Sequence, residues 1–197
     1  MNKKSFAEAV FQGAVLVACL ASCSDEPDAK RPPAPAAAPA APAPVASGGS
    51  PIALGPRHEA TLAEGIDFTK PGFPGFLKEV KGVSGAESWG RWTDANLAPA
   101  ASFRFDRALP KSFTLELKAT GLGPNAYQPV KIRAGSVERT LTLGNPAKAS
   151  YRVEFSGVDV DTIEIVPPAP IRPGEVSPQN PDTRKLGLGL TSLKIQN

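Results

Sequence analysis

Residues 84–94 read Ser-Gly-Ala-Glu-Ser-Trp-Gly-Arg-Trp-Thr-Asp and hold both tryptophans of the 197-residue chain. Trp89 and Trp92 stand three apart, with Glu87, Arg91 and Asp94 around them. These residue types suit sugar recognition. Apolar faces of sugar rings pack on aromatic planes, while Arg, Asp and Asn hydrogen-bond the hydroxyls. Arg91 also offers a planar fork for an anionic substituent such as phosphoglycerol. Trp89 and Trp92 have opposite strand parity, so a regular strand would put them on opposite faces. Gly90 between them is expected to mark a bulge or tight bend. A structural reading stands beside this one, with the Trp pair as core and Glu87 with Arg91 as an ion-paired clasp.

Three downstream residues complete the candidate ligand-binding set. Asn125 follows Gly123-Pro124 and also reads as a turn residue. Asp182 and Arg184 also read as a structural pair locking the loop 167–185 to the last strand. Catalytic chemistry finds little support. The single histidine, His58, has no Ser-Asp or metal-ligand context, and no Cys nucleophile or clustered ligand set is present. A Ca²⁺ site through Asp94 or Asp182 would need an Asp-rich loop that the sequence lacks. Scattered Asp and Glu leave a glycosidase pair open. The expectation is a protein that is not an enzyme and needs no cofactor or metal. A net charge of +3 gives no reason to expect a nucleic-acid partner.

Strands must position these groups. Period-two alternation recurs at Ala101, Phe103 and Phe105, at Phe113, Leu115 and Leu117, and at Val130 and Ile132. It recurs again at Tyr151, Val153 and Phe155, and at Ile163 and Ile165. The last strand runs Leu186, Leu188, Leu190, then Leu193 and Ile195, so its parity flips near Thr191-Ser192 and a bulge is expected there. Eight or nine short strands with turn residues between them predict an all-β domain over residues 59–197. The expected architecture is an antiparallel β-sandwich, a jelly roll of galactose-binding-like type.

The chain before it is of another kind. Lys3 and Lys4 precede an apolar run from Ala9 to Leu20 that is short for a permanent membrane span. It ends in Leu20-Ala21-Ser22-Cys23, which resembles the lipobox of bacterial lipoproteins. The resemblance implies a signal peptide over 1–22, cleavage before Cys23 and acylation (palmitate) of that residue. Ser24 then favours the outer membrane, facing the periplasm, over the inner membrane. Residues 31–47 are Pro or Ala at 14 of 17 positions, so 23–58 is expected to be a disordered, extended tether. At about 3.1 Å per residue it would reach roughly 100 Å. Much of the chain's 22 Pro therefore belongs to a spacer.

Several blocks stand in order along the chain. They are Gly82-x-Ser84-x-x-Glu87-x-Trp89-Gly90-Arg91-Trp92-Thr93-Asp94, Leu109-Pro110-x-x-Phe113-x-Leu115, Gly123-Pro124-Asn125, and Asp182-x-Arg184-x-Leu186-Gly187. From about Gly65 to Ile195 the set resembles the C-terminal domain of the phosphoglycerol transferase I family, enzymes that decorate osmoregulated periplasmic glucans. That family's catalytic domain resembles sulfatases and alkaline phosphatases, whose Asp, Glu and His metal ligands have no counterpart here. The resemblance implies the accessory domain alone. The expected function is a lipid-anchored glycan-binding module for osmoregulated glucan or another envelope polysaccharide. The rival is a structural lipoprotein that docks on an envelope protein and binds no sugar.

Overall fold

Alternating apolar residues fold residues 112–121 into a ten-residue strand, and its neighbours assemble around it. A computed structural model describes residues 49–197. The expected signal peptide, the expected acylation at Cys23 and the Pro/Ala-rich part of the expected tether fall outside the described residues. Sheet I contains β2 (Ile66–Asp67), β5 (Arg91–Asp94), β7 (Ser112–Gly121), β10 (Ala149–Ser156) and β12 (Leu186–Gln196). Sheet II contains β4 (Leu77–Lys81), β6 (Ala101–Phe105), β8 (Val130–Ala134), β9 (Val137–Leu141) and β11 (Thr162–Val166). A two-residue parallel pair, β1 (Arg57–His58) with β3 (Phe73–Pro74), lies beside them.

All pairings within the two sheets are antiparallel. The order is β10-β7-β12-β2 in sheet I and β4-β6-β11-β8-β9 in sheet II. At eleven residues, β12 is long enough to carry two short strands on one edge, β5 along Leu186–Leu190 and β2 at Ser192–Leu193. From β4 onward the chain changes sheet at every connection except the β8–β9 hairpin. That crossing pattern makes the sandwich a jelly roll, as the sequence predicts.

The two inner faces meet in one core. Sheet I contributes Leu115, Leu117, Ala119, Leu188, Leu190, Leu193 and Ile195, and sheet II Val80, Phe103, Phe105, Ile132, Ile163 and Ile165. Each such large side chain gains about 1.5–3 kcal/mol from burial. Neither cysteine of the chain falls among the described residues, so this burial acts without a disulfide. The expected parity flip in the last strand is present. Leu190 pairs with Ala119 and Ser192 with Lys118, leaving Thr191 as the extra residue of a bulge. The bulge keeps Leu188, Leu190, Leu193 and Ile195 all on the inner face.

Residues 52–58, which the expected bounds of 23–58 put in the tether, lie on the domain. Ile52 donates its N–H to Val80 O at 2.9 Å, and Ile52 and Leu54 pack on the core. Arg57 donates to Gly75 O at 2.6 Å and to Leu77 O. The Pro/Ala bias ends at residue 47, and apolar residues that can be buried follow it.

Candidate functional site

The Trp-rich block folds as a hairpin pressed onto the outer face of sheet I. Ser84 N–H donates to Trp92 O at 2.8 Å, and Trp92 N–H donates to Ser84 Oγ at 3.1 Å. At the tip, Glu87 N–H donates to Gly90 O (2.8 Å) and Gly90 N–H to Glu87 O (3.2 Å). Ser88 and Trp89 therefore form a two-residue turn, and Gly90 is the tight bend the sequence predicts. Its φ is +150°, and a Cβ there would stand 2.1 Å from Leu190 O. Only glycine lets the hairpin approach β12 this closely.

The turn places the two rings together despite their opposite parity. Trp92 lies in β5 opposite Gly189. Trp89, outside the strand, folds back over Gly189, with ring atoms 2.8 and 2.9 Å from where a Cβ on that glycine would be. The rings meet edge to face, with centroids 5.0 Å apart at 69°. Both side chains are half-buried, between the core and the solvent-facing alternatives.

A polar chain fixes this pair from one side. Trp89 Nε1 donates to Glu87 Oε2 at 2.9 Å. Glu87 Oε1 accepts from Arg184 Nη2 at 3.2 Å. Arg184 grips Asp182 through Nε (3.1 and 3.0 Å) and Nη2 (2.6 Å), and its own N–H donates to Asp182 Oδ1 at 2.9 Å. The pair therefore locks the 167–185 loop, and its far anchor is the Trp hairpin. From the other side Lys148 brings Nζ 5.4 Å above the Trp89 ring and donates to Trp89 O at 3.4 Å.

The expected Glu87–Arg91 clasp does not form. Arg91 pairs with Leu190 across the strands, so it shares the inner face while Glu87 stays on the outer hairpin. Arg91 is 5% exposed, and its guanidinium stands 4.5 Å over the Phe73 ring. It donates to Lys70 O (3.1 Å), Gly72 O (3.2 Å) and Ser84 O (3.4 Å), and Nε has no partner. Burial lowers its pKa from the ordinary value. Arg91 thus ties the 70–73 loop to the hairpin and is closed to a ligand.

Two more candidates are structural. Asn125 is 0% exposed; its Nδ2 donates to Ala169 O (2.7 Å) and Leu122 O (2.9 Å), and its Oδ1 accepts from Ala169 N–H (3.0 Å). Asp94 is buried, and its Oδ1 accepts from Asn96 N–H at 2.9 Å in the turn that ends β5. Glu87, Trp89, Trp92, Asp182 and Arg184 are thus brought together, while Arg91, Asp94 and Asn125 hold the frame beneath and beside them. Lys148 and Gly189 join the site without having been singled out. Gly189 had a signal, since Leu186-Gly-Leu-Gly-Leu190 places glycines on one face of a strand, a mark of close approach. Lys148 had none.

Among the described residues no group of three His, Cys, Asp or Glu gathers closely enough to hold a metal. An open depression of about 450 Å³ lies at the other end of sheet I, lined by Thr114, Arg139, Glu154 and Phe155 among others. It touches none of the candidate residues.

The Asp182–Arg184 grip predicts an acid response. Hydrogen bonds from Arg184 hold the Asp182 carboxyl below its ordinary value, and the same bonds raise the Arg184 pKa. The native state then binds fewer protons than the unfolded one. The contribution is complete above the unfolded value of about 3.9 and is lost as pH falls through the native one. Tryptophan emission should be flat from about pH 5 to 8 and shift below about pH 4, and Asp182→Asn should remove that acid step.

A family model described as "Domain of unknown function (DUF7024)" matches residues 57–197. Curated proteins are similar over 133 residues at 36% identity. They include phosphoglycerol transferase I of Escherichia coli strain SE11 and of Shigella boydii serotype 18. Each match covers 68% of this chain and 17% of the relative, so the chain corresponds to a small part of those proteins. No solved structure matches the chain. No described helix is long and apolar enough to cross a membrane.

Proposed function

Because the chain belongs to the family of the domain of unknown function DUF7024 and is similar to part of phosphoglycerol transferase I, we propose that it is a non-catalytic accessory module that binds a glycan. One observation carries this reading. The two tryptophans form a half-buried pair on the outer face of a sheet, held by a polar chain rather than sunk in the core. Rings in that position offer apolar area to a sugar face, and the Glu87–Arg184–Asp182 chain brings donors and acceptors for hydroxyls beside it. Osmoregulated glucan or another envelope polysaccharide is the ligand class this reading favours.

The anchor completes the proposal. Acylated Cys23 would hold the module at the outer membrane, facing the periplasm, and the Pro/Ala tether would let it reach away from the bilayer. Cys23→Ser should release the protein into the soluble periplasmic fraction, and continued attachment to membranes would refute the lipid anchor. The second reading, docking on an envelope protein with no sugar bound, draws on the exposed side chains of Leu97, Tyr127 and Val176. A glycan array probed with the full chain in detergent separates the two. Binding to a defined glycan class supports the first reading, and silence across the array supports the second.

A further inference from the structure

The outer face of sheet I carries a second feature beside the tryptophans. Register places Lys118 opposite Ser192 and Ser150, and Lys194 opposite Glu116. Lys148 precedes the paired span of β10 and reaches the same face, as its contact with Trp89 shows. The three lysines therefore step diagonally across the adjacent strands β10, β7 and β12. Diagonal neighbours of this kind stand about 7–8 Å apart. The row begins at the Trp89 ring.

Among the described residues none of the three stands in an ion pair. The carboxylates around them are engaged elsewhere. Glu116 binds Arg152 at 3.5 Å, and Asp67 binds Thr69 and lies 4.0 Å from Lys70. Glu87 and Asp182 are tied by Arg184, and Glu64 by Thr61. Glu154 sits one row further from the tryptophans, beyond Lys194. Three lysines on adjacent strands, in none of the ion pairs among the described residues, complement a chain that carries negative charge at intervals.

We infer that the glycan of this site is anionic, bearing phosphate, sulfate or carboxylate groups that Lys148, Lys118 and Lys194 read while a sugar ring rests on Trp89 and Trp92. This rests on the glycan-binding reading above. A polymer laid across three strands reaches every ammonium group. A bilayer would instead need apolar side chains projecting beyond the lysines, whereas both Trp rings are half-buried and held against the sheet.

The test uses the full chain in detergent with three probes: a neutral β-glucan oligosaccharide, the same oligosaccharide phosphorylated, and vesicles containing phosphatidylglycerol. The phosphorylated sugar should bind at least about tenfold more tightly than the neutral one at low salt, and raised salt should shrink that ratio. In Lys118→Gln/Lys194→Gln, whose substitutions touch neither ring, the ratio should fall to about one. Circular dichroism melting checks that the variant stays folded. Equal affinity for both sugars in the unaltered protein overturns the inference and leaves glycan binding standing. Persistence of the preference in the folded variant also overturns it. Binding to vesicles with no binding to either sugar overturns both readings.

Discussion

Gly90→Ala should destabilise the domain by about 3 kcal/mol or more, an effect far beyond that of an ordinary exposed turn residue. The φ of +150° is one source of this cost, because a side chain rarely adopts it. The larger source is steric. A Cβ would meet the backbone carbonyl of Leu190 at 2.1 Å, and that carbonyl belongs to β12, the strand shared by β2, β5 and β7. A strand pinned on both edges cannot step aside cheaply. Urea unfolding of the full chain gives the number, and a domain of this size should lose about 10 °C in melting temperature. A loss below about 1 kcal/mol would mean that the hairpin is not seated on β12 as described.

Gly189→Ala should have the opposite profile, a small effect on stability and a large one on binding. Here the atoms in the way are side-chain termini, Trp89 Cζ3 and Cη2 and Thr120 Cγ2, at 2.8 to 2.9 Å. A Trp ring can swing away, and alanine suits a strand better than glycine does, so the net stability change should stay within about 1 kcal/mol. The swing moves Trp89 off its seat, lengthens the Glu87 hydrogen bond and breaks the edge-to-face contact with Trp92. Glycan affinity should fall by at least about tenfold, the scale of losing one aromatic stacking contact. Calorimetric titration read alongside thermal melting checks both halves. The contrast with Gly90 is informative because both glycines lie at the contact between one hairpin and β12 and differ in whether backbone or side chain fills the space.

Much of the fold was legible in the sequence. Alternation located β6, β7, β8, β10, β11 and β12, and the leucine spacing located the bulge at Thr191. What alternation missed has local causes. In β4 a register shift between Leu77 and Glu79 breaks the period of two. In β9 the inner-face position between Val137 and Leu141 is Arg139, an exposed residue whose guanidinium lies 5.8 Å from the Phe155 ring, so a cation at the sheet edge interrupts the apolar signal.

The site was legible in its members and not in its pairings. The tryptophans, Glu87, Asp182 and Arg184 were all identified, but the partner of Glu87 is 97 residues away and not the nearby Arg91. Spacing along a chain can propose only near partners. Here strand parity sent Arg91 inward, and the long loop brought Arg184 across. Likewise nothing around Lys148 marks it, because its role depends on β10 pairing with β7 at Ala149–Ala119.

Both tryptophans of the chain stand in this one site, so intrinsic tryptophan emission reports on it and nowhere else. Titrating the full chain with a glycan selected from the array, while following that emission, tests glycan binding at the Trp89–Trp92 pair directly. The account predicts a saturable shift or quench that follows the calorimetric binding curve and weakens in Gly189→Ala by the same factor as affinity. A glycan that binds with unchanged emission, or whose affinity is untouched by Gly189→Ala in a protein whose Trp89 has demonstrably moved, would contradict it.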